Sequence, residues 1–478
     1  MNIMRKVKKY IKFMIKGIWH ILPISSKKKV VLQYKWQVRR SIRFFRRDVS
    51  REISRDLEEQ YKSARGLNHV ALFEEQARKL HRQYKRIHVV KNNILNIGPM
   101  CYNYYSLCTL LEKCPTDEKI IFLLYDGDRP VYEMDDPRVS NQWLLSKLRE
   151  LVEFIDLYTA PFWGYMTVTY RDLFAFNTVD DVGRILYPDR ERVIHQKEYR
   201  YPSQAYLSFS KQEKIDGETA LQNMGLKKGG YFCFFSRSNE YHERYFDNHG
   251  TEQADITARR NSSVDTFVQA IDQVNLSGLK AVRMGAVDSR KVTGENIFDY
   301  TNTCRDDFLD FFVMGQAKFF VGDTSGIGCI PWLMNKPQAL TNNFTFFWRG
   351  PKAFNYNSKM NLSIYKKWWD RNKKRYLSLQ EILDISWEYG VSDEIELRLC
   401  DQLGIEFHAN TLDEIADLIY EMNLRIDGKW EENGEIKLLR EKYWDILNGA
   451  IKKAHPTTVL WEYEPAGLFL KKNKWLLD

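Results

Sequence analysis

The sequence has no run of about 18 apolar residues, the length a membrane-crossing helix needs. It has no signal-peptide pattern either, because Lys and Arg interrupt the apolar positions of the N-terminus throughout. None of its seven cysteines (Cys101, Cys108, Cys114, Cys233, Cys304, Cys329, Cys400) forms a Cys-x-x-Cys pair. That leaves no zinc framework. The odd number, with several cysteines inside apolar runs, points to a reducing compartment where cysteine serves as a small hydrophobe. Internal repeats and low-complexity linkers are also missing. Acids are nearly absent from the first 50 residues, where Asp48 alone faces 15 Lys and Arg. The rest of the chain carries 57 bases and 62 acids, so the net charge of +9 belongs to an appendage. A nucleic-acid-binding body loses its main support on that ground, and no nucleic-acid partner is expected.

What is present suits a large folded protein. A chain of 478 residues is long enough for two α/β domains plus appendages. In residues 1–22, Ile3, Met4, Val7, Ile11, Met14, Ile15, Ile18 and Leu22 recur at helical spacing, while Arg5, Lys6, Lys8, Lys9, Lys12 and Lys16 fill the other face. That is the pattern of a helix lying on an anionic membrane surface. A second basic stretch, from Lys27 to Arg47, extends this membrane-associating segment over residues 1–47. Mixed charge over 48–86 predicts a helical connector. From Ile87 onward, short β-rich runs (IHVV, ILNIG, IIFLLY, FIDLY) alternate with helix-like segments, the texture of a parallel sheet with crossovers. A new unit begins after Tyr201-Pro202, with YFCFF (231–235), LKAVRM (279–284) and KFFV (318–321) as its strands. Ser210 with Glu213, Ser378 with Glu381 and Thr411 with Glu414 mark helix starts. Two α/β lobes meeting near residue 205 follow from this.

Three places carry chemistry. In FFVGDTSGIG a buried strand runs into Asp323-Thr324-Ser325-Gly326, where small residues, hydroxyls and helix-terminal amides suit a phosphate. Arg237 directly follows the strand YFCFF, at the edge where open α/β sheets bind ligands, and a guanidinium there forks onto a diphosphate. Arg260-Asn261, Arg283 with Gly285, and Asp299-Tyr300 end further runs. Parallel strands all end on one edge, so Arg237, Arg283 and the 324–326 loop are expected to converge on one pocket. The aromatic segments 344–350 and Lys366-Lys367-Trp368-Trp369 suit either core packing or stacking on sugar and base rings.

These pieces keep a recognisable order. SFSKQE, NMGLKKGGYFCFFSR, RRN, VRMG, FDY, CRDDFLDFF, GDTSG and GIEFHANTLDEIADLIYEM, from Leu207 to Met422, resemble a family of bacterial glycosyltransferases found with surface-polysaccharide genes. GDTSG is similar to the donor-phosphate loop of heptosyltransferases, and the SR motif with a late Thr/Ser loop is similar to protein O-fucosyltransferases. The resemblance implies the GT-B architecture: two facing Rossmann-like domains, an acceptor domain over 87–205 and a nucleotide-sugar domain over 206–434. It also implies C-terminal helices over 435–478 that pack back on the first domain. The implied activity is metal-independent transfer of a hexose or related sugar from a nucleotide sugar to a glycan or lipid-linked glycan acceptor. The product would be a surface glycan such as lipopolysaccharide, O-antigen or capsule. The implied location is the cytoplasm, peripheral on the inner membrane. The donor-binding residues would be Arg237, Arg260, Asn261, Arg283, Gly285, Asp299, Tyr300, Asp323, Thr324, Ser325 and Gly326.

Two points depart from a simple reading. Family members have a Gly-His pair after the first strand, whereas this chain has Asn96-Ile97-Gly98-Pro99-Met100, without a His. A non-catalytic assembly protein with a degenerate transferase fold is therefore the alternative. The base that takes the acceptor's proton stays open between His242, Glu243, Asp255 and Asp126. The rival to a metal-free site is Asp126-Gly127-Asp128, where Asp126 and Asp128 resemble a metal-binding Asp-x-Asp but equally make good turn sequence.

Overall fold

The computed structural model describes residues 82–84, 86–93, most of 96–125, 139–155, 207–238, most of 260–286, 290–343, 346–348, 360–389, 400–451, 459–460 and 463–478. Residues 1–47, nearly all of the 48–86 connector and the expected boundary near 205 lie outside them.

The first lobe holds three parallel strands in sequential order, β1 (Arg86–Asn93), β2 (Glu118–Tyr125) and β3 (Glu153–Ile155). Parallel neighbours need crossovers. After β1, Met100, Cys101, Tyr104, Leu107 and Cys108 are buried at helical spacing. Before β3, α1 (Gln142–Leu151) buries Leu144, Leu145 and Leu148. Its start is capped by Asn141, whose side-chain oxygen accepts from the Leu144 amide at 2.7 Å.

The second sheet has seven parallel strands: β4 (Tyr231–Phe235), β5 (Lys280–Arg283), β6 (Ile297–Phe298), β7 (Phe320–Asp323), β8 (Gln338–Asn343), β10 (Leu362–Tyr365) and β15 (Glu464–Pro465). Their order across the sheet is β15-β10-β8-β7-β4-β5-β6. Beside it, β9 (Phe347–Trp348) pairs antiparallel with β14 (Val459–Leu460), and β11 (Lys367–Asp370) pairs antiparallel with β12 (Arg375–Tyr376) and β13 (Ile405–His408). The mixed α/β class with mostly parallel sheets is therefore as the sequence predicts.

Apolar residues on alternate sides of β4 explain why it lies near the centre. Phe232 and Phe234 enter one core with α3 (Val264–Gln273) and α7 (Leu412–Ile426). Tyr231 and Cys233 enter the other with α2 (Lys211–Asn223) and α4 (Asp307–Gln316). That period-two alternation is what a strand covered on both faces requires. The second of these cores also takes in the buried residues of the first lobe, so the lobes share apolar packing.

Polar contacts fix the same junction. Asn141 Nδ2 donates to the Asp307 carbonyl at 2.9 Å, the Gln142 amide donates to Asp307 Oδ2 at 2.6 Å, and Trp143 Nε1 donates to Glu213 Oε1 at 2.6 Å. Glu213 also completes the expected capping box with Ser210, and the Thr411–Glu414 box is present too.

The expected packing of 435–478 on the first lobe runs partly through residues outside those described. The described residues of 435–478 contact the second lobe. α8 (Gly434–Ile451) lies against α6 (Leu379–Tyr389), and β15 extends the large sheet beside β10. Glu421 on α7, a fully buried carboxylate, holds this segment in place. It accepts from the Gly467 and Leu468 amides at 3.0 Å each, at the start of α9 (Gly467–Lys472), and pairs with Arg425 at 2.9 Å.

Candidate active site

The large sheet has one topological switch point. From β4 the chain moves outward through β5 to β6, then returns to lay β7 on the other side of β4 and continues through β8 to β10. In open α/β sheets the crevice outside the strand ends at such a point is where ligands bind. Arg237 follows β4 there, and Asp323 ends β7.

Gly322 is what lets these two strands close up. A Cβ at this position would lie 2.6 Å from the Phe235 carbonyl oxygen and 2.8 Å from Phe320 Cζ. Only glycine allows the backbones this approach.

Asp323 is the organiser of the site. Only 1% of it is exposed. Oδ2 accepts from the Arg237 amide at 2.9 Å and from the Ser262 hydroxyl, while Oδ1 accepts from Thr341 Oγ1 and Asn342 Nδ2, each at 2.8 Å. Burial pushes its carboxyl up from the ordinary range, and these four donors oppose the rise. The sequence reading counts Asp323 among the donor-binding groups. Its oxygens are instead spent inward, tying together the ends of β4, β7 and β8 and the 260–263 loop.

Three cations gather above it. Arg237 is 7% exposed, and its Nη1 donates to Asn261 Oδ1 at 2.9 Å. Burial, and then neighbouring Arg260, bring its pKa down to about 10, with Asp323 opposing. Arg260 Nη2 donates to the Thr324 carbonyl at 3.1 Å, while its Nε is buried without a partner. Lys366 follows β10 and donates from Nζ to the Asn261 carbonyl at 3.2 Å. Its pKa is lowered by burial, raised in part by Asp323 and lowered again by Arg237. Burying the Arg237 and Lys366 charges costs hydration, and an anion bound beside them relieves that cost.

The loop after β7 meets this cluster. Ser325 is extended, its hydroxyl oxygen is buried without a hydrogen-bond partner, and a turn of 3-10 helix over Gly326–Gly328 leads into α5 (Cys329–Leu333). The other lobe approaches at the same place. A Cβ on Gly326 would lie 3.0 Å from the Gly98 amide nitrogen and 3.1 Å from Ile97 Cγ2. Ile97 and Gly98, in the run where the sequence shows no Gly-His pair, thus lie against Gly326.

The other expected residues make contacts of their own. Arg283 pairs with Asp299 at 3.5 Å and donates to the Arg290 carbonyl, and both Arg283 and Asp299 side chains are buried. Asp299 Oδ2 further accepts from the Val292 amide and from Asn302 Nδ2, each at 3.0 Å. This pair fastens the 290–302 region at the end of β5, the strand beside β4. Gly285 adopts φ +136° against the Phe235 ring. Tyr300 is fully buried, with its hydroxyl bonded to the Asp306 carbonyl and to Asp310 Oδ1 at 2.9 and 3.0 Å. It is a core residue. His242, Glu243, Asp255, Asp126 and Asp128 lie outside the described residues. Among the described residues no group of three or more His, Cys, Asp or Glu is placed to hold a metal ion. Lys366, Ser262, Thr341 and Asn342 are site residues that sequence reasoning does not pick out as such, and only Lys366 lies in a segment it marks.

No protein-family model and no curated protein matches the chain. Among solved structures it is similar to a family 9 glycosyl transferase from Veillonella parvula DSM 2008, with 12% identity over 67% of this chain and 97% of that one, at a TM-score of 0.36. It is also similar to the ADP-heptose lps heptosyltransferase II of E. coli, with 12% identity over 72% and 99%, at a TM-score of 0.39. A third is the glycotransferase of kitacinnamycin, with 11% identity over 72% and 96%, at a TM-score of 0.22.

Proposed function

We propose that the chain is a glycosyltransferase that moves a sugar from a nucleotide-sugar donor to a growing bacterial surface glycan. The observation that carries this is the cluster of Arg237, Arg260 and Lys366 around the 323–326 loop at the switch point, faced by Gly98 of the other lobe. A nucleoside diphosphate bound there meets guanidinium charge together with the unpartnered donors Arg260 Nε and Ser325 Oγ. In the reaction the C1–O bond to the β-phosphate breaks, and the acceptor oxygen forms the new bond to C1. The acceptor's proton passes to a carboxylate or imidazole. The cations stabilise the charge that develops on the leaving diphosphate, the role a metal plays in other transferases.

The test is release of nucleoside diphosphate from a panel of nucleotide sugars, with a glycan or lipid-linked glycan acceptor. Each charge-assisted bond to a diphosphate contributes about 1.5–3 kcal/mol. Arg237→Ala should therefore lower turnover about ten- to a hundredfold. Arg237→Lys should recover part of the loss, since an ammonium cannot fork. Arg237 is buried, so the melting transition of each variant is recorded alongside. A folded Arg237→Ala protein with parental turnover refutes the assignment.

We further propose that residues 1–47 hold the enzyme on an anionic membrane surface. The 15 Lys and Arg in the first 50 residues support it. Vesicles containing anionic lipid should sediment the full chain, and rising salt should release it. A variant lacking 1–47 should stay in the supernatant with an unchanged melting transition. Loss of that transition would mean the segment belongs to the core.

A further inference from the structure

A hollow lies on the sheet of β11, β12 and β13. Along β11 the tryptophans alternate: Trp368 is 1% exposed and packs in the core, whereas Trp369 is half-buried on the other face. Trp369 pairs in register with Tyr376 of β12, their rings 5.1 Å apart and nearly perpendicular. The Tyr376 ring stacks on Trp475 at 4.8 Å, and its hydroxyl bonds His408 Nδ1 at 3.0 Å. These three aromatic side chains wall a hollow of about 740 Å³. That volume falls within the range of small-ligand sites, roughly 300–1,000 Å³.

The charges of the hollow distinguish it from the switch-point cluster. Lys374 and Arg375 line it against Glu381 and Asp478, so the lining charges cancel. Arg375 and Glu381 form a two-pronged pair at 2.7 and 2.8 Å. Charge complementarity therefore selects a neutral ligand here and an anionic one at the switch point. A pyranose ring offers an apolar C–H face with a rim of hydroxyls. Aromatic walls held in place by one another take the first, and fixed carboxylate, guanidinium and amide groups take the second.

We propose that this hollow binds neutral hexopyranose units of a glycan chain, apart from the donor site. The identity of that chain as the acceptor rests on the transferase reading above. Trp369 is three residues from Lys366, at most about 11 Å along an extended strand.

The experiment uses the full chain on an array of hexose-containing bacterial oligosaccharides, followed by calorimetric titration with the best binder. Nucleotide-sugar binding is measured in parallel. The parent should retain at least one oligosaccharide. The double variant Trp369→Ala, Trp475→Ala should bind it about tenfold more weakly or worse. Gln380→Trp, which fills the hollow from its rim without entering the core, should do the same. All variants should bind nucleotide sugar as the parent does. The proposal is overturned if the parent retains no oligosaccharide, or if Gln380→Trp binds with parental affinity. Loss of nucleotide-sugar binding by the parent itself would instead refute the transferase reading, leaving saccharide binding to decide the hollow.

Discussion

Replacing Asp323 with Ala lowers the free energy of unfolding by about 3–5 kcal/mol and removes nucleotide binding. The carboxylate is buried and accepts four hydrogen bonds from β4, the 260–263 loop and β8. Truncation leaves the Arg237 amide and the Asn342 side chain without their acceptor in a place water cannot easily reach. Asp323→Asn should be milder than Ala. It removes the cost of burying a charge, which already pushes this carboxyl upward, and keeps one acceptor. It should still be clearly worse than the parent, because its NH2 faces a donor. Urea unfolding of the three proteins checks the order parent, Asn, Ala. Equal midpoints for parent and Ala would mean that Asp323 organises nothing.

Gly322→Ala should cost about 1–3 kcal/mol or more and disable the site even where the protein stays folded. The added methyl would meet the Phe235 carbonyl at 2.6 Å, a backbone atom that cannot rotate away. Relief requires β4 and β7 to separate where Phe235 pairs with Gly322, two residues before Arg237 and one before Asp323. The Arg237 amide then loses Asp323, and the cations lose their common support. Gly449→Ala is the matched control. It lies exposed in α8, where an added methyl would meet nothing within 4 Å, and alanine favours helix there by up to about 1 kcal/mol. Thermal unfolding should separate the two changes in opposite directions. A Gly322→Ala protein as stable and as active as the parent would remove the close strand approach from the account.

Much of this site could be read from local sequence, and the unread part was non-local. Arg237 and the 323–326 loop each follow a β-rich run directly, so their place at the sheet edge follows from strand direction. The capping boxes at Ser210 and Thr411 were legible because each is complete within four residues. The order of the strands was not. It sets β7 beside β4, which joins Asp323 to the Arg237 amide, while Arg283 at the end of β5 pairs with Asp299. Asp323 looked like a ligand group because it heads a small-residue loop. Its inward role depends on Ser262, Thr341 and Asn342, which meet it only after folding. Lys366 stood in a segment marked for its aromatic rings, and its link to Asn261 spans 105 residues. The packing of 435–478 on the first lobe is implied by resemblance alone. The hold of Glu421 on the Gly467 and Leu468 amides, 46 and 47 residues away, has no local signal in the sequence.

Calorimetric titration of nucleoside diphosphates and their sugars into the parent, Arg260→Ala and Ser325→Ala proteins tests the central claim most directly. Arg260 reaches the Thr324 carbonyl with one nitrogen and leaves Nε unpartnered beside the loop, where Ser325 Oγ also lacks a partner. The account predicts saturable binding of a nucleoside diphosphate by the parent. Arg260→Ala should weaken it about ten- to a hundredfold, with a smaller loss for Ser325→Ala, while the melting transitions are kept. Failure of every nucleotide to bind the parent, or undiminished binding by a folded Arg260→Ala protein, would contradict it.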